Sequence, residues 1–244
     1  MIALFTDFGV AGPYIGQIKA VLHTRAPTVP VVELLSDAPA WQVQAAAHLL
    51  AALIAPFPVG TVFLCVVDPG VGTDQRDPVY YEIDGRWFVG PDNGIFELVA
   101  TRGREVAAWR VDWRPPVLSQ SVHGRDLFAP VAAMLALGEP VPSTPLPPNP
   151  KASTPMSDDH YAIIYVDNFG NTISGIRGSA VDDGDLIVVA GRRLGFAPTF
   201  GAVAKQQAFW YRNSMGLVEI AVNQGSAAVA LGLQVGDPVG ITQS

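Results

Sequence analysis

The run TVFLCVVDPGVGTDQR (61–76) decides how this chain is read. The apolar segment TVFLCVV (61–67) stops at Asp68-Pro69-Gly70, glycines 70 and 72 bracket Val71, and Arg76 follows. A short apolar run without polar alternation, bounded by turn residues, predicts a strand buried on both faces. The simplest reading of Asp68-Pro69-Gly70 is a strand-ending turn. Working outward, IALFT (2–6) is a similar run and ends at Asp7-Phe8-Gly9. Ile15, Ile18, Val21 and Leu22 recur at helical spacing and predict a helix over 14–23. VPVVELL (29–35) reads as a strand, and a long helix is predicted from Trp41 to Ala55. Strand–helix–strand–helix–strand predicts an α/β layer with a largely parallel sheet.

Downstream, Asp84-Gly85 lies between two aromatic-rich runs and predicts a hairpin within 79–94. Asp92-Asn93-Gly94 is a further turn with a helix expected from Ile95; 106–112 reads as an edge strand, and 125–138 as a helix with Pro130 near its first turn. Residues 139–156 hold seven prolines and no apolar periodicity. Beyond them come short β-type runs: YAIIYVD (161–167), DLIVVAG (185–191), QAFWYRN (207–213), LVEIAVN (217–223) and VGITQ (239–243). The expected organisation is an α/β N-terminal domain (1–140), a Pro-rich linker (141–157) and a smaller all-β, barrel-like C-terminal domain (158–244).

The 244 residues are 49 % hydrophobic and 15 % charged, enough for a sizeable core, and the net charge of -7 argues against a nucleic-acid surface. Cys65 is the single cysteine, so neither a disulfide framework nor a Cys-based zinc site can form within one chain. No regular ligand spacing suggests a metal site. The N-terminus lacks a signal-peptide pattern, and the apolar stretch 45–57 is too short to cross a bilayer, so no membrane partner and a cytoplasmic setting are expected.

In open α/β sheets, ligands bind beyond the carboxyl ends of the strands. Asp7 and Asp68 fall at two such ends. Asp7 could cap the following helix or accept hydrogen bonds from two sugar hydroxyls. GVGT lacks the G-K-[ST] ending of a phosphate loop and is too short for a dinucleotide fingerprint. His123, in SVHGRD (121–126), precedes a helical pattern in a loop where its ring could face a site; Arg125 and Asp126 could be a helix-start pair. YVDNFGNTIS (165–174) places Asp167 after a strand and Asn171 four residues on. This is either a polar turn or a pair in which Asp167 meets an ammonium and Asn171 reads an amide-like edge. NSMG (213–216) offers Ser214 and backbone N–H groups suited to a carboxylate.

Seven ordered segments run through almost the whole chain: TDFG (6–9), GPYIGQIKAVL (12–22), VVDPGVGT (66–73), PDNG (91–94), HGRD (123–126), VDNFGNTI (166–173) and EIAVNQGSAA (219–228). Together they resemble the S-adenosyl-L-methionine (SAM) hydroxide adenosyltransferases, or SAM hydrolases, relatives of the fluorinase and chlorinase. The resemblance implies hydrolysis of SAM to adenosine and methionine by water or hydroxide at ribose C5′, with SAM as substrate and no cofactor. It implies a homotrimer, with SAM between the N-terminal domain of one subunit and the C-terminal domain of its neighbour. Carried over, Asp68 and His123 would hold the nucleophilic water. Asp7 would bind the ribose hydroxyls, Trp41 would pack beside the ribose, Asp167 would meet the methionine ammonium, Asn171 the adenine edge and Ser214 the methionine carboxylate. Family members often carry T-E-R-R after GVG, the first arginine being catalytic. Here Thr73-Asp74-Gln75-Arg76 puts Gln75 at that place and leaves Arg76 for the role. The halogenases replace the Asp and His, so their presence favours hydroxide over halide. A non-catalytic SAM- or adenosine-binding protein and a SAM-dependent halogenase are the alternative readings.

Overall fold

A computed structural model describes residues 1–73, 76–147 and 156–243. They form two compact units, Met1–Leu50 with Pro56–Met156, and Ala51–Ala55 with Ser157–Ser244. In chain order the first elements are β1 (Ile2–Thr6), α1 (Tyr14–Arg25), β2 (Val31–Leu35), α2 (Val43–Leu53) and β3 (Val62–Val66). All five residues of β1 and of β3 are buried, the outcome their unbroken apolar runs require. The hairpin follows as β4 (Pro78–Ile83) and β5 (Arg86–Pro91), turning at Asp84 and Gly85, both with positive φ. Then come α3 (Glu97–Arg102), β6 (Val106–Val111), a π-helical turn (Gly124–Phe128) running into α4 (Ala129–Leu137), and β7 (Ser143–Leu146). Pro130 sits in the first turn of α4, where its missing N–H costs no helical bond.

The seven strands make one sheet, ordered β2-β1-β3-β5-β4-β6-β7. Pairings from β2 to β5 are parallel and those from β5 to β7 antiparallel. The sheet is therefore mixed rather than largely parallel. The cause is local: the two-residue turn at Asp84-Gly85 reverses the chain so that β4 and β5 pair antiparallel, and β6, reached from β5 through α3, pairs on the far side of β4 and is antiparallel to it. Nor is β6 an edge strand. β7 lies outside it, built from STPL within the stretch read as linker, with Pro145 opposite Trp109. An edge tolerates proline, whose missing N–H there has no neighbour to bond. The remainder of the linker, 148–155, lies outside the described residues. Ile18 and Leu22 of α1 and Phe128, Val131 and Ala132 of the α4 region pack with Ile2, Leu4, Val62 and Leu64 in one core.

The second unit carries β8 (His160–Val166), β9 (Thr172–Arg177), β10 (Leu186–Val189), β11 (Arg192–Leu194), β12 (Ala208–Arg212), β13 (Leu217–Val222), α5 (Ala227–Leu231) and β14 (Val239–Thr242). It is not all-β, since α5 contributes one short helix. Its strands form two antiparallel sheets, β12-β13-β9-β8 and β11-β10-β14. Single bridges, Ala162 to Pro238 and Phe196 to Trp210, join their margins. Trp210, Ile163, Ile176, Ile187 and Val218 fill the core.

Candidate active site

β1, β3 and β5 run parallel side by side, so their carboxyl ends form one rim. Asp7 follows β1 directly and donates its N–H to Val66 O of β3 at 3.3 Å. Asp68 follows β3. The turn after β5 supplies Asn93, whose Nδ2 donates to Val67 O at 2.8 Å and pins the chain just before Asp68. The sequence marked PDNG as a turn and as one of the seven ordered segments, with no role for Asn93. Its place on the rim depends on β5 lying beside β3, which no local pattern reveals.

Asp68 and Arg76 form a bidentate ion pair with side chains only 3 % and 6 % exposed. Arg76 Nε donates to Asp68 Oδ1 at 2.6 Å, and Nη2 donates to Oδ2. Gly70 N also donates to Oδ1, at 3.2 Å. A planar guanidinium suits this two-point contact, and burial makes each partner essential to the other. Burial pulls the Arg76 guanidinium below its usual value. Such a group stays charged throughout the physiological range.

The turn from Asp68 to Thr73 is built tightly. Val71 N donates to Asp68 O at 3.3 Å, and Thr73 Oγ1 donates to Gly70 O at 2.7 Å. Gly72 has φ +79°, and a Cβ there would lie 2.5 Å from Gln120 O. Its glycine is thus set by backbone conformation and by close approach to the 118–121 loop. Gly70 is different: a Cβ there would meet only ordinary contacts. Gln75, the departure from the family pattern, lies outside the described residues.

The 118–121 loop leads to His123. Asp126 accepts Ser119 N at 3.0 Å while paired with Arg125, which reaches Gln17 on α1 at 3.0 Å. Arg125 and Asp126 therefore brace this loop. A Cβ on Gly124 would lie 3.0 Å from the Phe8 ring, so HGRD packs directly on TDFG. Burial first, then the charge of Arg76, hold the His123 imidazole below its ordinary value of 6.5; Arg114 acts in the same sense, and Asp126 and the Ser119 backbone oppose them. The ring is accordingly neutral near pH 7.

Asp7 does not cap α1, whose N-cap is Pro13 with no side-chain bond. Its carboxyl instead receives the Trp41 backbone N–H, and burial pushes its pKa up. Trp41 has φ 61° and is 79 % exposed. Asp7 and Trp41 are thus neighbours, as are Asp68, Arg76 and His123.

In the second unit Asp167 closes its own turn. Oδ1 accepts Phe169 N at 2.9 Å and Asn171 N at 2.8 Å, and Oδ2 accepts Asn171 Nδ2 at 2.9 Å. Asn171 is buried. Gly170, at φ +81°, packs on Ser226, where an added Cβ would be 2.0 Å from Oγ. Ser226 in turn caps α5 through Val229 N at 3.1 Å. This contact joins the VDNFGNTI and EIAVNQGSAA segments. Ser214 is exposed in the turn between β12 and β13. Nearby, Glu219 is 4 % exposed; burial pushes its pKa up, the hydrogen bonds from Tyr211 and Asn213 oppose this, and the charge of Asp167 adds to the rise. A glutamate inside the apolar run LVEIAV was the available signal for it, and the strand reading passed over it. Among the described residues no cluster of three or more His, Cys, Asp or Glu could hold a metal, and no helix is long and apolar enough to cross a membrane.

Comparison with known proteins identifies the family. The model of the SAM hydroxide adenosyltransferase N-terminal domain matches residues 2–144, and that of the C-terminal domain matches 161–240. The chain is 40 % identical to the (R)-S-adenosyl-L-methionine hydrolase of Thermus thermophilus, covering 96 % of each chain. It is 35 % identical to the enzyme of the same name from Salinispora tropica, covering 99 % of this chain and 97 % of that one. A crystal structure of an uncharacterized conserved protein from Thermotoga maritima matches with a TM-score of 0.87 and 30 % identity, over 100 % of both chains. This chain belongs to the SAM hydroxide adenosyltransferase family.

Proposed function

We propose that this protein hydrolyses SAM to adenosine and L-methionine by in-line attack of water or hydroxide at ribose C5′. The observation that carries the reading is the buried Asp68–Arg76 pair on the rim it shares with Asp7, with a neutral His123 held in the field of Arg76. The leaving group is a neutral thioether, since the sulfonium charge is lost as the C–S bond breaks, so no acid is needed there. The demand falls on the nucleophile. Full prior transfer of a proton from water to an ordinary aspartate spans roughly 12 pKa units, or about 16 kcal/mol. Asp68 therefore orients the water and takes its proton as the C–O bond forms. Oδ1 accepts Arg76 Nε and Gly70 N, and Oδ2 accepts Arg76 Nη2, so the carboxylate is held in a fixed orientation on the rim. Positioning of this kind contributes roughly 7–11 kcal/mol. Arg76 and His123 stabilise hydroxide character.

In this reading Asp7 and Trp41 serve the ribose, Asp167 the ammonium, Asn171 the adenine edge and Ser214 the carboxylate. No cofactor or metal takes part. We further read the 141–157 stretch as the junction between domains 1–140 and 158–244, the second as barrel-like, supported by the two bridges joining its sheets. The assembly is a homotrimer in a cytoplasmic setting, testable by light scattering. Binding without turnover is the second reading, favoured by the way Arg76 engages both oxygens of Asp68.

The deciding experiment is incubation with SAM in ¹⁸O-labelled water, with and without halide. Adenosine labelled at the 5′-oxygen plus methionine, independent of halide, is expected. Bound but intact SAM would establish the binder, and a halogenated product would establish a halogenase.

The His123 environment adds a pH prediction. Activity is expected to fall on acidification with an apparent pKa below 6.5, as protonation removes the ring's ability to accept a hydrogen bond from water. Stability should move in the same direction. With the folded-state pKa lowered, the unfolded chain binds the proton first, and stability is lost as pH falls from the ordinary imidazole value through the folded one. Melting temperature against pH for wild type and His123→Gln measures this. An unchanged acid-side slope in the variant would assign the effect to another group.

A further inference from the structure

We propose that Glu219 is a positioning residue that sets the amino-acid end of the substrate site, acting through Asn213 on the turn that presents Ser214. The inference rests on the SAM reading above. Glu219 sits mid-strand in β13, where its neighbours in sequence are apolar, yet it is 4 % exposed and fully engaged. One oxygen receives the Tyr211 hydroxyl, and Oε2 receives Asn213 Nδ2 at 2.9 Å. With its amide fixed in that sense, Asn213 turns Oδ1 toward the β12–β13 turn. There it accepts Met215 N and Leu217 N, both at 3.0 Å. Ser214 lies inside the loop so closed, beside Asn213 N, which donates to Leu217 O at 2.9 Å.

The polarity of this chain is directional. A carboxylate at 219 can only accept, so it selects the Asn213 rotamer with nitrogen inward and oxygen toward the turn. The charge is also placed for a purpose. Asp167 and Glu219 raise the local negative potential together, and Asp167 is felt at both Glu219 and Tyr211. Two carboxylates bracketed by a hydroxyl and an exposed serine suit a zwitterionic α-amino acid, the ammonium toward the carboxylates and the carboxylate toward the Ser214 turn. A buried carboxylate is expensive unless bonded, and a hydrophobic residue at 219 would serve a purely structural strand better.

The test is removal and return of that acceptor. Glu219→Met keeps the length of the side chain but removes the acceptor that holds Asn213 Nδ2, so Asn213 is free to turn over and release Met215 N and Leu217 N. KM for SAM is expected to rise about tenfold with kcat within about twofold, and adenosine, which lacks the amino-acid end, should bind as in wild type. Glu219→Gln returns an acceptor to Asn213, because the Tyr211 hydroxyl can accept from the new amide N–H₂. It is expected to recover most of the KM. Thermal melts of all three proteins accompany the kinetics. An unchanged KM in a folded Glu219→Met protein, or equal weakening of SAM and adenosine, would overturn the inference while leaving hydrolysis intact. Wild type that neither binds nor turns over SAM would overturn the functional reading itself, and the inference with it.

Discussion

Replacing Asp68 by asparagine is expected to lower kcat for SAM hydrolysis by about 100-fold or more, with SAM binding changed only a few-fold. The amide keeps the shape of the side chain and can still accept from Arg76 Nε or Gly70 N. It cannot take a proton from water, and one of its two positions becomes a donor facing Arg76 Nη2. Rapid-quench single-turnover kinetics with a binding isotherm separate these effects. Turnover equal to wild type would remove Asp68 from the chemistry and leave it as the anchor of Arg76.

The largest stability effect is expected from the other half of the pair. Arg76→Met leaves Asp68 as an uncompensated buried charge, at a cost of about 3–5 kcal/mol. For a chain of this size that lowers the melting temperature by roughly 10 °C, and activity should be lost as well. Arg76→Lys keeps the charge but offers a point donor instead of a fork, so it should recover part of the stability and little of the turnover. Asp68→Leu combined with Arg76→Met should be nearly as stable as wild type while remaining inactive, because neither charge is then left alone. A melting temperature for Arg76→Met equal to that of wild type would show that the pair does not hold the 68–76 loop.

How much of this was legible follows from what each residue needed as context. β1 and β3 are apolar throughout, and an apolar run with no alternation means burial on both faces, so the parallel half of the sheet could be read directly. In the antiparallel half the hairpin and β6 were legible, and β7 was obscured because STPL contains a proline, which normally speaks against a strand and is tolerated here at an edge. β9 was missed because Ser174 and Gly175 interrupt its apolar pattern. Gly175 is required there, since a Cβ would fall 2.6 Å from that of His160. Asp68 and Arg76 were brought together by the family resemblance, which leaves Arg76 as the arginine after GVG. Asn93 and Glu219 were not legible, because their roles depend on which strands become neighbours.

The proline in β7 has a consequence for how the protein behaves when concentrated. The outer strands of an open sheet offer unpaired amides to any other chain. One end of this sheet is closed by Pro145, which has no amide hydrogen to offer. The other end, β2, carries Glu33, ion-paired to Lys19 near the surface. Strand-to-strand growth into fibrils is thus opposed at both ends, by a missing donor at one and by charge at the other. Replacing Pro145 by a β-branched residue such as valine would be expected to leave the fold in place and shorten the lag before aggregation on prolonged storage.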